Sequence, residues 1–184
     1  MSAMLREAPQ PSDFFNMNQF MKSWGYDWEP IEVTTDDGYI LSVYRIPGLV
    51  EEGESAKNAL KPPVLFQHGI LDSAYCWIMN YADVAPAFVA ARAGYDVWLG
   101  NSRGNTYSRS HIEYDPDKNS KKFFDFSWYE MGEYDLPAVI SKVRSETGAA
   151  KVAYIGHSQG TTQMFSALSE QQDYWKDKIS LFVA

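Results

Sequence analysis

The sequence predicts an α/β fold: a mostly parallel sheet entered through an N-terminal antiparallel hairpin. Three observations carry that expectation. Two alternating β-rich runs flank an Asp-Gly turn near the start. Beyond Pro63, short continuous apolar runs alternate with helical patterns, as strands covered on both faces by crossover helices do. Finally, 45% of the 184 residues are hydrophobic and 22% charged, which supports one domain with a real core and leaves little length for another.

The elements follow in order. Residues 1–11 are polar with two prolines and form a flexible N-terminus; residues 12–184 form a single domain. Ser12 caps a helix running from Asp13 to about Ser23, with Phe14, Met17, Phe20 and Met21 on one apolar face. Residues 31–35 and 39–46 pair around Asp36-Asp37-Gly38. Residues 47–62, with Glu51, Glu52 and Glu54, make a solvated surface loop. Residues 64–67 are the first buried strand. An Ala-rich helix over 82–93 ends at Gly94, and a second buried strand spans 95–99. A long helix over 127–147 breaks near Pro137 and closes at Gly148. A third strand covers 151–155, a helix 159 to about 171, and a fourth strand 179–184. Crossovers should be right-handed, and a ligand should sit beyond the carboxyl ends of the strands.

Composition removes several functions. Sixteen basic against twenty-four acidic residues give a net charge of −8, the wrong sign for nucleic acid. No stretch approaches the ~18–20 apolar residues of a membrane span. The one cysteine, Cys76, cannot form an internal disulfide or a multi-cysteine zinc cluster, and is expected to be a buried inert thiol. The first nine residues lack the apolar core of a signal peptide, and no Asn-x-Ser/Thr sequon occurs.

The chemistry lies in two glycine-containing turns. Gly156-His157-Ser158-Gln159-Gly160 falls between a predicted strand and a predicted helix. A serine there sits on a sharp strand-to-helix bend that needs small neighbours, Gly156 and Gly160, and projects its hydroxyl as a nucleophile. The helix behind it aims amides at developing negative charge. Gln67-His68-Gly69-Ile70-Leu71 follows the first buried strand. Acyl transfer needs two backbone donors for the oxyanion. One is expected at Gln159 and the other at Ile70, with Gly69 permitting close approach. Of the histidines, His157 should point away from the serine hydroxyl, His68 should order its loop by hydrogen bonding, and His111 should be solvated in a polar loop.

These runs resemble the acid lipase family of α/β-hydrolases, which contains gastric lipase and lysosomal acid lipase. The matching residues are Trp24-Gly25-Tyr26, Thr35 to Leu41, Arg45-Ile46-Pro47, Gln67-His68-Gly69, Gly94 to Thr106, Glu130-Met131, Tyr134 to Ala138 and Gly156 to Thr162. The Trp98-Leu99-Gly100-Asn101-Ser102-Arg103-Gly104-Asn105 run is far more specific than the serine motif. The resemblance implies an α/β-hydrolase fold, a serine carboxylic-ester hydrolase of neutral lipids such as triacylglycerols or steryl esters, Ser158 as nucleophile, Gln159 and Ile70 as oxyanion donors, and neither metal nor organic cofactor. Arg103, in the loop after the second buried strand, is expected to anchor neighbouring carbonyls. By resemblance the protein belongs in the lysosome or outside the cell; the missing leader and sequons leave an intracellular place open.

One departure stands out. In this fold the serine precedes its acid and then its histidine. After Ser158 come Asp173 and Asp177 and no histidine. The domain is therefore expected to be incomplete, with later strands and the cap over the acyl pocket missing. The chain would be inactive alone, since losing triad members costs ~10⁴–10⁶ in kcat. Strand 179–184 would be an exposed sheet edge for a complementing chain or partner. A non-catalytic interaction subunit is the alternative reading.

Overall fold

A computed structural model describes residues 17–53 and 60–184. The expected flexible N-terminus, the Ser12 cap and the first turn of its helix lie outside the described residues. Strands β1 (Glu29–Thr34) and β2 (Tyr39–Ile46) form the predicted hairpin, in register from Glu29 opposite Arg45 to Thr34 opposite Ile40. Strands β3 (Pro63–Gln67), β4 (Asp96–Gly100), β6 (Val152–Gly156) and β7 (Ile179–Val183) match the four predicted runs to within two residues. The sheet order is β1-β2-β4-β3-β6-β7. The β2–β4 pair is antiparallel, whereas β3–β4, β3–β6 and β6–β7 are parallel.

The residue-by-residue alternation of the central strands sorts two cores. Val64, Phe66, Val97 and Leu99 pack with Met21 and Phe88 on one face. Leu65, Trp98 and Tyr154 pack with Ile140 and Met164 on the other. All of these side chains are buried, each large one contributing about 2 kcal/mol. Helices α1 (Met17–Ser23) and α2 (Pro86–Arg92) thus cover one face, and α5 (Leu136–Thr147) and α6 (Gln159–Glu170) the other.

Four features differ from expectation. Helix α2 starts one turn later than predicted, because Pro86 takes the first helical position, where a missing N–H costs nothing. Pro137 does not break the long helix. α4 (Trp128–Glu130) widens into a π turn at Met131–Asp135 before α5, and the Leu136 N–H reaches back five residues to the Met131 carbonyl. Gly148, at φ 68°, closes α5 as predicted, donating to the Arg144 carbonyl. A short strand, β5 (Ser110–His111), pairs with β2, and a short helix, α3 (Ser120–Phe123), follows it. Among the described residues no helix is long and apolar enough to cross a membrane. β7 pairs only with β6 there, and its Leu181 and Val183 are exposed.

Candidate active site

Two loops meet at the carboxyl ends of β3 and β6. Ser158 stands between β6 and α6 with φ 52° and ψ −116°. Among the described residues only one other non-glycine has a positive φ, Leu71 at 58° in the loop after β3. Such conformers cost on the order of 1–3 kcal/mol each and persist only where surroundings enforce them. The Ser158 carbonyl begins α6, accepting the N–H groups of Thr161 and Thr162. Its side chain makes no capping bond and is exposed, so the hydroxyl is not spent on the helix.

What enforces the bend is contact. A Cβ on Gly160 would strike the Gln67 carbonyl oxygen and lie 2.8 Å from that of His68. One on Gly156 would lie 2.7 Å from the Thr161 nitrogen. One on Gly69 would lie 3.1 Å from the Ser158 Cβ. None of these three glycines has a positive φ, so they are needed for room and not for a left-handed backbone. The His157 N–H donates to the Gln67 carbonyl at 3.0 Å and ties the bend to β3.

Among the described residues, neither the Ile70 nor the Gln159 amide has a hydrogen-bond acceptor. Both lie beside a cleft of about 700 Å³, whose walls include Ile70, Leu71, Tyr107, Phe124, Phe126 and Gln159. The cleft reaches Gln159, one residue past Ser158. Its aromatic wall was not anticipated from sequence. Phe124 and Phe126 flank Asp125 with the spacing of one strand face, but their loop carries no periodicity to place it.

His68 is 2% exposed. Its Nδ1 lies 2.6 Å from the Gly69 carbonyl oxygen, and its Nε2 accepts the Ser102 N–H at 3.0 Å. Burial pushes its pKa below the ordinary histidine value. His157 is exposed, and its ring sits edge-on to Trp77 with centroids 6.5 Å apart. His111 is not the solvated histidine expected: it belongs to β5, with Nε2 2.9 Å from the Asp37 carbonyl oxygen and Nδ1 accepting the N–H groups of Glu113 and Tyr114. Asp173 and Asp177 are both exposed, Asp173 pairing with Lys176 at 2.9 Å.

Arg103 is buried as an anchor, but its partners are carboxylates and not the expected carbonyls. It reaches Asp135 at 2.8 Å and Asp37 at 2.6 Å, and its guanidinium lies 4.0 Å over the Tyr39 ring. It thereby joins the loop after β4 to the hairpin turn and to the π turn. Burial pushes the Asp135 carboxyl up to about 6, against the Arg103 charge. Cys76 is half-buried, and its thiol is pushed up to about 12 by burial and then by Asp72, so almost none of it is thiolate at neutral pH.

Residues 62–183 match the family model described as the alpha/beta hydrolase fold, and residues 17–81 match the one described as the partial alpha/beta-hydrolase lipase region. Human lipase member K is 47% identical over 95% of this chain, which covers 42% of that protein. Rat gastric triacylglycerol lipase is 48% identical over 95% of this chain, which covers 43% of it. The chain thus spans about two fifths of the curated relatives' length. A solved esterase from Pyrococcus furiosus superposes with a TM-score of 0.56 at 20% identity, over 81% of this chain and 49% of that one.

Proposed function

The chain belongs to the α/β-hydrolase family, and from that premise we propose that it is the nucleophile-bearing part of a lipase-type carboxylic-ester hydrolase of neutral lipids. The observation that carries this is the strained Ser158 beside two acceptor-free amides. The Ser158 Oγ attacks the ester carbonyl carbon, and its proton passes to a base. The carbonyl oxygen becomes an alkoxide held by the N–H groups of Ile70 and Gln159. The alkoxide collapses, the alcohol leaves with a proton, and water then releases the fatty acid from Ser158. Similarity to gastric triacylglycerol lipase supports acyl esters of glycerol, and the Ile70, Leu71, Tyr107, Phe124 and Phe126 stretch of the otherwise polar cleft wall offers an acyl chain an apolar surface.

No ring nitrogen of the three histidines is hydrogen-bonded to Ser158, and no histidine follows it in these 184 residues. The reading therefore requires a base and its acid partner that no side chain hydrogen-bonded to Ser158 among the described residues supplies. The 184 residues alone should be nearly inactive. The test is covalent. An alkyl fluorophosphonate, with the complementing residues present, should leave one adduct on the Ser158 peptide by mass spectrometry and none on Ser158→Ala. Absence of any adduct would contradict the reading.

A further inference from the structure

We propose that His68 is the positioning residue of the oxyanion loop: its neutral ring sets the plane of the peptide joining Gly69 to Ile70 and so aims the Ile70 N–H. The inference rests on the reading of Ile70 as an oxyanion donor. Nε2 accepts the Ser102 N–H at 3.0 Å and lies 3.2 Å from the Asn105 Nδ2, a second donor. A nitrogen facing two donors carries no proton, so the ring hydrogen is on Nδ1, where it points at the Gly69 carbonyl 2.6 Å away.

A trans peptide is planar, with its carbonyl oxygen and its N–H on opposite sides. Among the described residues there are no cis peptide bonds. Holding the Gly69 oxygen against the ring therefore turns the Ile70 N–H away from it. No other donor reaches the Gly69 carbonyl among the described residues, and the Ile70 amide has no acceptor to hold it. On one side of this peptide is a glycine, and two residues on is the strained Leu71. Without the ring, no hydrogen bond among the described residues holds the orientation of this peptide. With it, the loop after β4, through Ser102 and Asn105, fixes an amide in the loop after β3. The ring itself is immobilised by burial.

Two substitutions separate the two ring nitrogens. The amide nitrogen of His68→Asn can stand where Nδ1–H stands and keep the Gly69 bond. The amide oxygen of His68→Gln can stand where Nε2 stands and keep only the Ser102 bond. Both are tested in the intact protein, with second-order labelling of Ser158 by an alkyl fluorophosphonate and kcat and KM for a soluble short-chain ester. H68Q should fall at least tenfold below H68N in labelling rate, toward the ~10²–10³ loss of a missing oxyanion donor. The loss should lie in kcat with KM little moved. Equal rates in the two variants would overturn the proposal. Nitrogen-15 NMR of the wild-type imidazole decides independently of either variant's folding. The proposal requires a protonated Nδ1 and a bare Nε2, and a protonated Nε2 overturns it. If wild-type Ser158 takes no label at all, the functional reading fails while the NMR result still decides the ring's role.

Discussion

The serine bend and the loop after β4 lie side by side and are built from opposite materials. The bend is held by steric contact: glycines at 156 and 160 bring backbone against backbone, leaving the hydroxyl unbonded in a left-handed conformer. The loop after β4 is held by charge and hydrogen bonds, with buried Arg103 bridging Asp37 and Asp135 while Asn101, Ser102 and Asn105 bond outward to its neighbours. The difference teaches how a reactive group is kept free. Polar groups that carry structure are satisfied in the loop, so those in the bend can remain available to a substrate.

Disrupting each side should have a distinct signature. The largest effect is expected from Arg103→Ala, which strands two carboxylates, one of them fully buried. Chemical denaturation should show a loss of about 3–5 kcal/mol. A loss below about 1 kcal/mol would mean that charge does not hold the loop. Next comes Gly160→Ala, which forces a methyl against the Gln67 carbonyl. It should cost about 1–3 kcal/mol and abolish phosphonate labelling of Ser158, even at temperatures where the protein stays folded.

Acid sharpens the comparison, because steric contact does not titrate. His68 has its pKa lowered on folding, so between that value and the unfolded ~6.5 the unfolded chain binds the extra proton, and stability falls as pH falls. Asp135, raised to about 6, works the other way: the folded state binds the proton first, and stability rises as pH falls from 6 toward the ordinary aspartate value of about 3.8. His68→Asn should therefore lose a slope of up to about 1.4 kcal/mol per pH unit just below pH 6.5, seen in the difference between wild-type and variant denaturation curves. Identical slopes would place the ring in solvent. The smallest effect concerns Cys76, whose thiol at about 12 leaves it a bystander. Native protein at pH 8 should resist alkylation at this residue until unfolded, and rapid modification would contradict that.

Sequence alone reached the steric half of this site better than the charged half. Gly156, Ser158 and Gly160 act within one short turn, so their spacing encodes their contacts. The central strands were legible because each is a continuous apolar run covered on both faces. Arg103 was recognisable as an anchor, but its carboxylates lie 66 and 32 residues away, and nothing local pairs them. The π turn was invisible because a proline signals only that a helix must adjust, not that it widens. β5 was missed because two residues carry no alternation, and with it the role of His111.

The central claim is that Ser158 and the amides of Ile70 and Gln159 act on one reacting centre. A crystal structure of the phosphonylated protein tests it most directly. The phosphonyl oxygen should accept both N–H groups at about 2.7–3.1 Å. An adduct on Ser158 whose oxygen faces solvent, with either amide turned elsewhere, would contradict it.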